Sequence, residues 1–535
     1  MLRVFHTALS DPDAFIVTLE LVPGKESTGR SVDTVMGIAR DAFADGRVTA
    51  VSITDNPGGN PSLSPDVIGY EIFKVGMDVI VHHTCRDANR VGMESRALQL
   101  AMMGMKTILA LTGDYTGQGF GGQGAPVFDL DSVNLLLMLR LLSDRLAASG
   151  DPDGFVTGCA VSPFKRTEAE TFAQYAKLCR KIAAGAEFVI TQLGYDARKF
   201  AELMGVMDRM GVAVPAFGSV YLLTPKAARI MNRGDVPGAV VTDDLLARVE
   251  REWRNPEDGR RAAVERAARL GAVLKGLGYR GMHLGGVHRQ FAPVGRILDR
   301  MAEIEGDWRS FLPDLDFHKA GDFYVFGETV PPVARASVAF PRTPRKLSMA
   351  ETVRYRLLRA FHDRFFTFDA PAAPLFRRLC GWIDAHPAAR HLADGAELAV
   401  KRRLLDCQHC GDCGISHLAF LCPESQCPKH TRNGACGGSR DGRCEVDPER
   451  PCVWTRTYAR LAAPGGAGID RMHRGCIPPR MWELNRTSSW LNFHLRRDHQ
   501  SASTALARSC NAATCPSPSL IGENPPADDG PGPAR

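Results

Sequence analysis

The sequence predicts a (β/α)8 barrel followed by a helical segment and a small cysteine-rich metal-binding domain. Three observations carry that reading. Eight short β-rich runs recur within the first 290 residues, each followed by an amphipathic or polar stretch. The runs are apolar with little alternation, which suits strands buried on both faces of a parallel sheet. Eight of the fifteen cysteines lie between Cys407 and Cys452. No GxGxxG follows an early run, so a doubly wound open sheet fits less well than a barrel.

The runs, in order, are FIVTLEL (15–21), VTAVSIT (48–54), DVIVHHT (78–84), TILALTG (107–113), FVTGCAV (155–161), EFVITQL (187–193), VAVPAFG (212–218) and GMHLGG (281–286). Segments such as SRALQLAMMGM and ETFAQYAKLCRKIAAGA between them carry apolar residues at helical period. The barrel is expected over 1–324 and a linker plus helices over 325–403, where residues 325–346 are Pro-rich with a basic end. The cysteine-rich domain is expected over 404–470 and a C-terminal extension over 471–535, disordered at its Pro/Gly-rich end. YRLLRAFHDRFF (355–366) reads as an amphipathic helix with Leu and Phe inward and Arg outward.

A chain of 535 residues is long enough for two or more units. Its 44% apolar and 24% charged content is ordinary, and a net charge of +6 argues for neither a nucleic-acid nor a membrane partner. No apolar run reaches 18 residues, so no membrane span is expected. The broken, early-acidic start MLRVFHTALSDPDAF reads as mature cytoplasmic sequence.

In a barrel of this type, polar residues at the C-terminal strand ends form the active site. Those ends offer Glu20, Thr54 and Asp55, then His82, His83 and Thr84, then Asp114, Gln192, His283 and His288. Acids, amides and imidazoles on one rim suit general acid/base work. Any one of them alone would as readily cap a helix or satisfy a loop.

TLELVPGK, VSITDN, HHTCRD, LTGD and AEFVITQLGYD, in that order, resemble the methylenetetrahydrofolate reductase family of flavin-dependent barrels, over about residues 15–295. The resemblance implies a bound flavin, FAD or FMN. It would carry hydride from NAD(P)H to methylenetetrahydrofolate and give 5-methyltetrahydrofolate, with ping-pong kinetics. Glu20 matches the family's general acid, which protonates folate N10; burial is expected to favour its neutral form. Asp114 matches the carboxylate beside the flavin. Thr54 and His82 match flavin contacts, Lys165 stands where a cofactor-side His is frequent, and Lys181 matches a basic residue near the cofactor phosphates. Gln192 matches the residue that meets the bound folate or nicotinamide, with Phe217 as a second substrate contact. Pro23-Gly24 replaces paired prolines, and Thr112 replaces an arginine, which leaves one cofactor contact missing.

The cysteine pattern runs Cys407, Cys410, Cys413, Cys422, Cys427, Cys436, Cys444 and Cys452. Two-residue spacing lets neighbouring thiolates turn onto one centre, either zinc or a [4Fe–4S] cluster. The segment CGDCGISHLAFLCPESQCPKHTRNGACGGSRDGRCEVDPERPCVW is similar to the C-terminal domain found beside or fused to some bacterial members of that family. There it carries metal, as a zinc scaffold or as an iron–sulfur relay to a donor other than NAD(P)H. The same residues would serve 5-methyltetrahydrofolate oxidation. The partners expected are a folate substrate, a second copy of the chain and an electron-carrier protein. A barrel-only regulatory protein and a nucleic-acid-binding zinc protein are the competing classes.

Overall fold

The computed structural model describes residues 4–326, 347–463, 468–472, 475–501 and 509–510. The expected linker (327–346) and the Pro/Gly-rich end fall outside these residues. Eight parallel strands close into a barrel in the order β1-β10-β9-β8-β7-β4-β3-β2. They are β1 (Ile16–Leu21), β2 (Ala50–Ile53), β3 (Asp78–Thr84), β4 (Thr107–Leu111), β7 (Val156–Val161), β8 (Phe188–Thr191), β9 (Ala216–Tyr221) and β10 (Gly281–Gly285). Between β4 and β7 a small antiparallel hairpin, β5 (Gln118–Gly119) and β6 (Gly122–Gln123), rises from the glycine-rich loop.

β1 pairs with both β2 and β10, Thr18 lying opposite Ala50 on one side and His283 on the other. That closure removes both sheet edges and gives the strands their two buried faces. The outward faces meet the surrounding helices in one continuous apolar cluster. The inward faces form a second cluster at the floor, where Ile16, Ala50, Ile80, Leu109, Val156, Phe188 and Phe217 meet. The helix Val4–Ser10 seals that floor with Phe5, 1% exposed and edge-on to Phe188 at 5.3 Å between ring centroids.

β9 starts four residues later than the apolar run VAVPAFG suggests. Pro215 has no N–H to donate, so the ladder begins after it, although its carbonyl still accepts from Val189 N at 2.9 Å. The shift puts Phe217 at the second position of the strand. It is therefore a floor residue, fully buried against Phe5 and Phe188, and not a rim residue that a substrate could touch.

Three helices follow the barrel, Met349–Phe365, Ala373–Ala385 and Pro387–Leu405. Leu357 and Phe361 on the first are 66% and 41% exposed and line a groove of about 320 Å³ instead of packing inward. The cysteine-rich segment comes next, mostly loop, with one longer helix at Val453–Ala462. That helix packs along the barrel helix Glu168–Ala183, and Tyr458 stacks on Phe172 with centroids 5.7 Å apart and planes 5° apart. Among the described residues no helix is long and apolar enough to cross a membrane.

Candidate active site

The C-terminal rim gathers Glu20, His82, Asp114, His283 and His288. Glu20 is the fifth residue of β1, opposite Ser52, and its Oε2 lies 3.7 Å from His283 Nε2, an ion-pair distance. The other ring nitrogen of His283 meets Thr18 Oγ1 at 2.8 Å, which fixes the imidazole's orientation. His82 Nε2 meets Ser52 Oγ at 2.6 Å, and His288 Nε2 meets the Tyr221 hydroxyl at 3.2 Å. Backbone shape matters here. A Cβ on Gly286, which sits at φ +81°, would fall 2.8 Å from the Tyr221 ring and 3.0 Å from the Leu222 backbone. HLGG is thus the glycine pair that lets β10 pass close under Tyr221.

The charges differ from the expectation for Glu20. Burial by itself pushes its carboxyl upward, but the His283 contact and the fields of His283, His82 and His288 outweigh it, and its pKa falls below the ordinary value. Burial lowers His82 to about 4, so that ring is neutral at pH 7.

Asp114 follows β4. Its Oδ2 accepts from Gly58 N at 3.0 Å, and Gly117 N donates to Gly59 O at 2.9 Å, so the loop 57–60 clasps the Asp114 loop. Gly59 is at φ +76° and a Cβ there would stand 2.0 Å from Tyr115 O; only glycine permits the clasp. Thr54 Oγ1, at the end of β2, is buried without a hydrogen-bond partner. A buried hydroxyl of that kind fits a polar group of a bound cofactor. Asp55 accepts from Thr84 and from Arg96, a structural arrangement at the same rim.

The remaining site residues are engaged elsewhere. Gln192 Nε2 donates to Pro237 O at 2.9 Å, and its Oε1 accepts from Leu193 N at 2.8 Å. Lys181 donates to Ala160 O at 2.5 Å from outside the barrel wall, and burial lowers it to about 8. Lys165 donates to Gly437 O and Ser439 O, both at 2.6 Å. Its ammonium is therefore satisfied by the CGGS turn and not directed at a cofactor.

Lys165 is one of several ties between barrel and cysteine-rich segment that sequence reasoning missed. Gln174 donates to Cys436 O, Arg432 N and Asn433 N donate to Asp131 Oδ2, and Lys429 Nζ donates to Gly113 O at 2.7 Å. Gly434, at φ +128°, lies so close to Lys177 that a Cβ would stand 2.6 Å from its Cβ. The stretch NGACGGS is thus a turn fitted to the rim beside β4 and β7.

The eight cysteines fall into two neighbourhoods. Cys427, Cys436, Cys444 and Cys452 line one small cavity with Lys429, Glu445 and Trp454. Cys413 lies within electrostatic reach of Cys407, Cys410 and Cys422. Among the described residues no group of three or more His, Cys, Asp or Glu side chains is arranged to hold a metal ion. Cys510, which had no role in the sequence reading, forms a disulfide with Cys476.

Two family profiles agree with this architecture. The family profile described as methylenetetrahydrofolate reductase matches residues 6–301, and that described as methylene-tetrahydrofolate reductase C terminal matches residues 386–483. A probable methylenetetrahydrofolate reductase (NADPH) of Caenorhabditis elegans is 26% identical over 182 residues, 33% of this chain and 26% of that protein. Methylenetetrahydrofolate reductase 1 of Schizosaccharomyces pombe is 26% identical over 205 residues, 38% of this chain and 32% of its own length. The matches thus span about a third or less of those relatives. A solved Clostridium thermocellum protein, described as binding two copies of 5-methyl-5,6,7,8-tetrahydrofolic acid, superimposes with a TM-score of 0.39 at 11% identity, over 57% of this chain and 99% of its own. With a closed eight-stranded barrel and a profile that covers more than half of its length, the chain belongs to the methylenetetrahydrofolate reductase family.

Proposed function

We propose that the barrel is a flavin-dependent reductase that converts 5,10-methylenetetrahydrofolate to 5-methyltetrahydrofolate, with NAD(P)H as donor. The observation that carries this reading is the pairing of Glu20 with His283 on the same rim as Asp114 and the unpartnered Thr54 hydroxyl. A bound flavin, FAD or FMN, would accept hydride from the donor and deliver it to the one-carbon unit. Thr54 and His82 would contact it from the ends of β2 and β3.

Glu20, which pairs with His283, would be the group that gives the folate its proton. In the open rim the carboxylate is paired with His283. A folate ring over the rim would strip water from Glu20, favour its neutral form and draw the proton to Oε2, ready for N10. Asp114, held by Gly58 N, would present negative charge to the cationic iminium that ring opening creates. Gln192, fixed on both ends of its amide, would offer a rigid edge to the bound ring.

The cysteines supply the soft donors that zinc or a [4Fe–4S] centre takes, though no set among the described residues is arranged around an ion. On donor chemistry alone, Cys427, Cys436, Cys444 and Cys452 would hold one such centre, and Cys407, Cys410, Cys413 and Cys422 a second. An iron–sulfur centre would supply electron transfer from a carrier protein; zinc would brace the fold. A cytoplasmic location and self-association belong to the same reading.

The test is Glu20→Gln in the two half-reactions. Loss of a general acid should slow the folate half-reaction by about 10²–10⁴-fold and leave flavin reduction by NAD(P)H within a few-fold. Undiminished folate turnover, or no flavin retained by the purified protein even after FAD or FMN is added, would end the reductase reading.

A further inference from the structure

We infer that Lys429, from the cysteine-rich segment, is a positioning residue for Asp114, so that the barrel's acidic loop is set by a group the barrel does not contain. The inference rests on the reductase reading for the role of Asp114, but the contacts stand without it.

Lys429 is 3% exposed, and its ammonium touches three things. It donates to Gly113 O, the carbonyl directly before Asp114, at 2.7 Å. It pairs with the carboxylate of Glu445. It also lies 5.9 Å from the centroid of Phe128. Phe128 in turn stacks on Tyr115, the residue directly after Asp114, with centroids 6.1 Å apart and planes 17° apart. One buried cation therefore holds the chain on both sides of Asp114, by a hydrogen bond before it and through stacked rings after it. On the opposite side Gly58 N holds the carboxylate itself. With both clasps made, Asp114 has little freedom to turn away from the rim.

Charge gives a second reason. A buried lysine is stable only when paired, and Glu445 supplies the pair. Glu445 Oε1 also accepts from Cys436 Sγ at 3.5 Å. The clamp is thus continuous with the cavity formed by Cys427, Cys436, Cys444 and Cys452, and a change in the state of those thiols would reach the Asp114 loop through two side chains. Two other barrel groups that meet the segment, Asp131 and Lys177, do so at Arg432 to Gly434.

The test uses the full chain with bound flavin. Hydrogen exchange at the amides of residues 113–117 reads the clamp directly, and a kcat-against-KM split in the folate half-reaction reads its effect. Lys429→Met should raise exchange at those amides by about tenfold or more and lower kcat by about tenfold with KM within twofold. Lys429→Arg, which keeps charge and donor, should restore most of both. If Lys429→Met does not fold, Glu445→Gln serves instead and should raise exchange in the same segment by several-fold. Unchanged exchange in a folded Lys429→Met or Glu445→Gln protein would overturn the inference. Faster exchange together with a Glu20→Gln enzyme of full activity would leave the clamp standing and remove the reductase reading alone.

Discussion

Arg432 is the place where a single substitution should loosen the cysteine-rich segment most. It is 4% exposed and donates to Asp412 Oδ2 at 2.9 Å, to Asp412 O at 3.1 Å and to Glu424 Oε1 at 3.0 Å. Asp412 sits between Cys410 and Cys413, and Glu424 between Cys422 and Cys427, so this one guanidinium joins loops from both cysteine neighbourhoods. Both carboxylates are buried, Asp412 at 0% and Glu424 at 9% exposure. Removing one partner of a buried ion pair costs about 3–5 kcal/mol, because a buried charge is left uncompensated. Here His499 Nδ1 stays 2.5 Å from Asp412 Oδ1, and Arg480 stays 3.5 Å from Glu424 Oε2. The loss for Arg432→Met should therefore fall at the lower end, about 3 kcal/mol. In a unit of 150–250 residues that is a fall in Tm of about 6–12 °C. Calorimetry of the full chain reads it, with Arg450→Ala as control. The Arg450–Asp447 pair is at the surface, with Arg450 66% exposed, and should matter by about 0.5 kcal/mol or less. An Arg432→Met protein as stable as Arg450→Ala would refute the assignment.

Two further outcomes follow from buried polar groups. Burial holds His82, His83 and His494 near pKa 4, below the ordinary histidine value of about 6.5. Between those pH values the unfolded chain binds protons that the folded one does not, so stability falls as the pH drops from about 6.5 to 4. His494 packs against Phe366, Phe376 and Phe493 with its Nε2 unpartnered, so His494→Phe should flatten that slope in urea melts taken across the range. A slope unchanged by the substitution would show that His494 is not the group responsible. Thr54→Val removes the buried, unpartnered hydroxyl and keeps the shape; the apoprotein should be unchanged or slightly more stable, by up to about 1 kcal/mol. Flavin titration of the same variant should show about fivefold to tenfold weaker binding, the loss of one hydrogen bond; equal affinity would place the cofactor away from β2.

The barrel was legible because closure imposes one rule on every strand. With both faces buried, each strand needs a short apolar run, and such runs are visible without knowing their neighbours. The predicted runs overlap all eight strands, and the one large slip, at β9, has a local cause in Pro215. That slip carried Phe217 from floor to rim in the reading, because a residue near the end of 212–218 is near the start of Ala216–Tyr221. Groups at strand ends could be placed for the same reason: position along a strand fixes height in the barrel. Glu20, His82 and Asp114 needed nothing more to reach the rim, but the His283 partner that sets the charge of Glu20 lies across the closure, more than 260 residues away in sequence.

Long cations were not legible, and the reason is physical. A lysine side chain is long and flexible and donates to any carbonyl in range, so its sequence position leaves its partner open. Lys165 and Lys181 matched cofactor-side positions, yet they donate their hydrogen bonds to the carbonyls of Gly437, Ser439 and Ala160. Lys429 carried no signal at all beyond following Cys427-Pro428, and it is the cation that reaches Gly113. The two halves of the chain thus exchange cations at the rim, Lys165 of the barrel into the CGGS turn and Lys429 of the cysteine-rich segment into the Asp114 loop. Lys165 finds its acceptors only when the halves are docked, and Lys429, already paired with Glu445 of its own segment, gains the Gly113 carbonyl there. An exchange of that kind ties the fold of the cysteine-rich segment to the shape of the barrel mouth, and it gives a physical reason for the two to be carried on one chain.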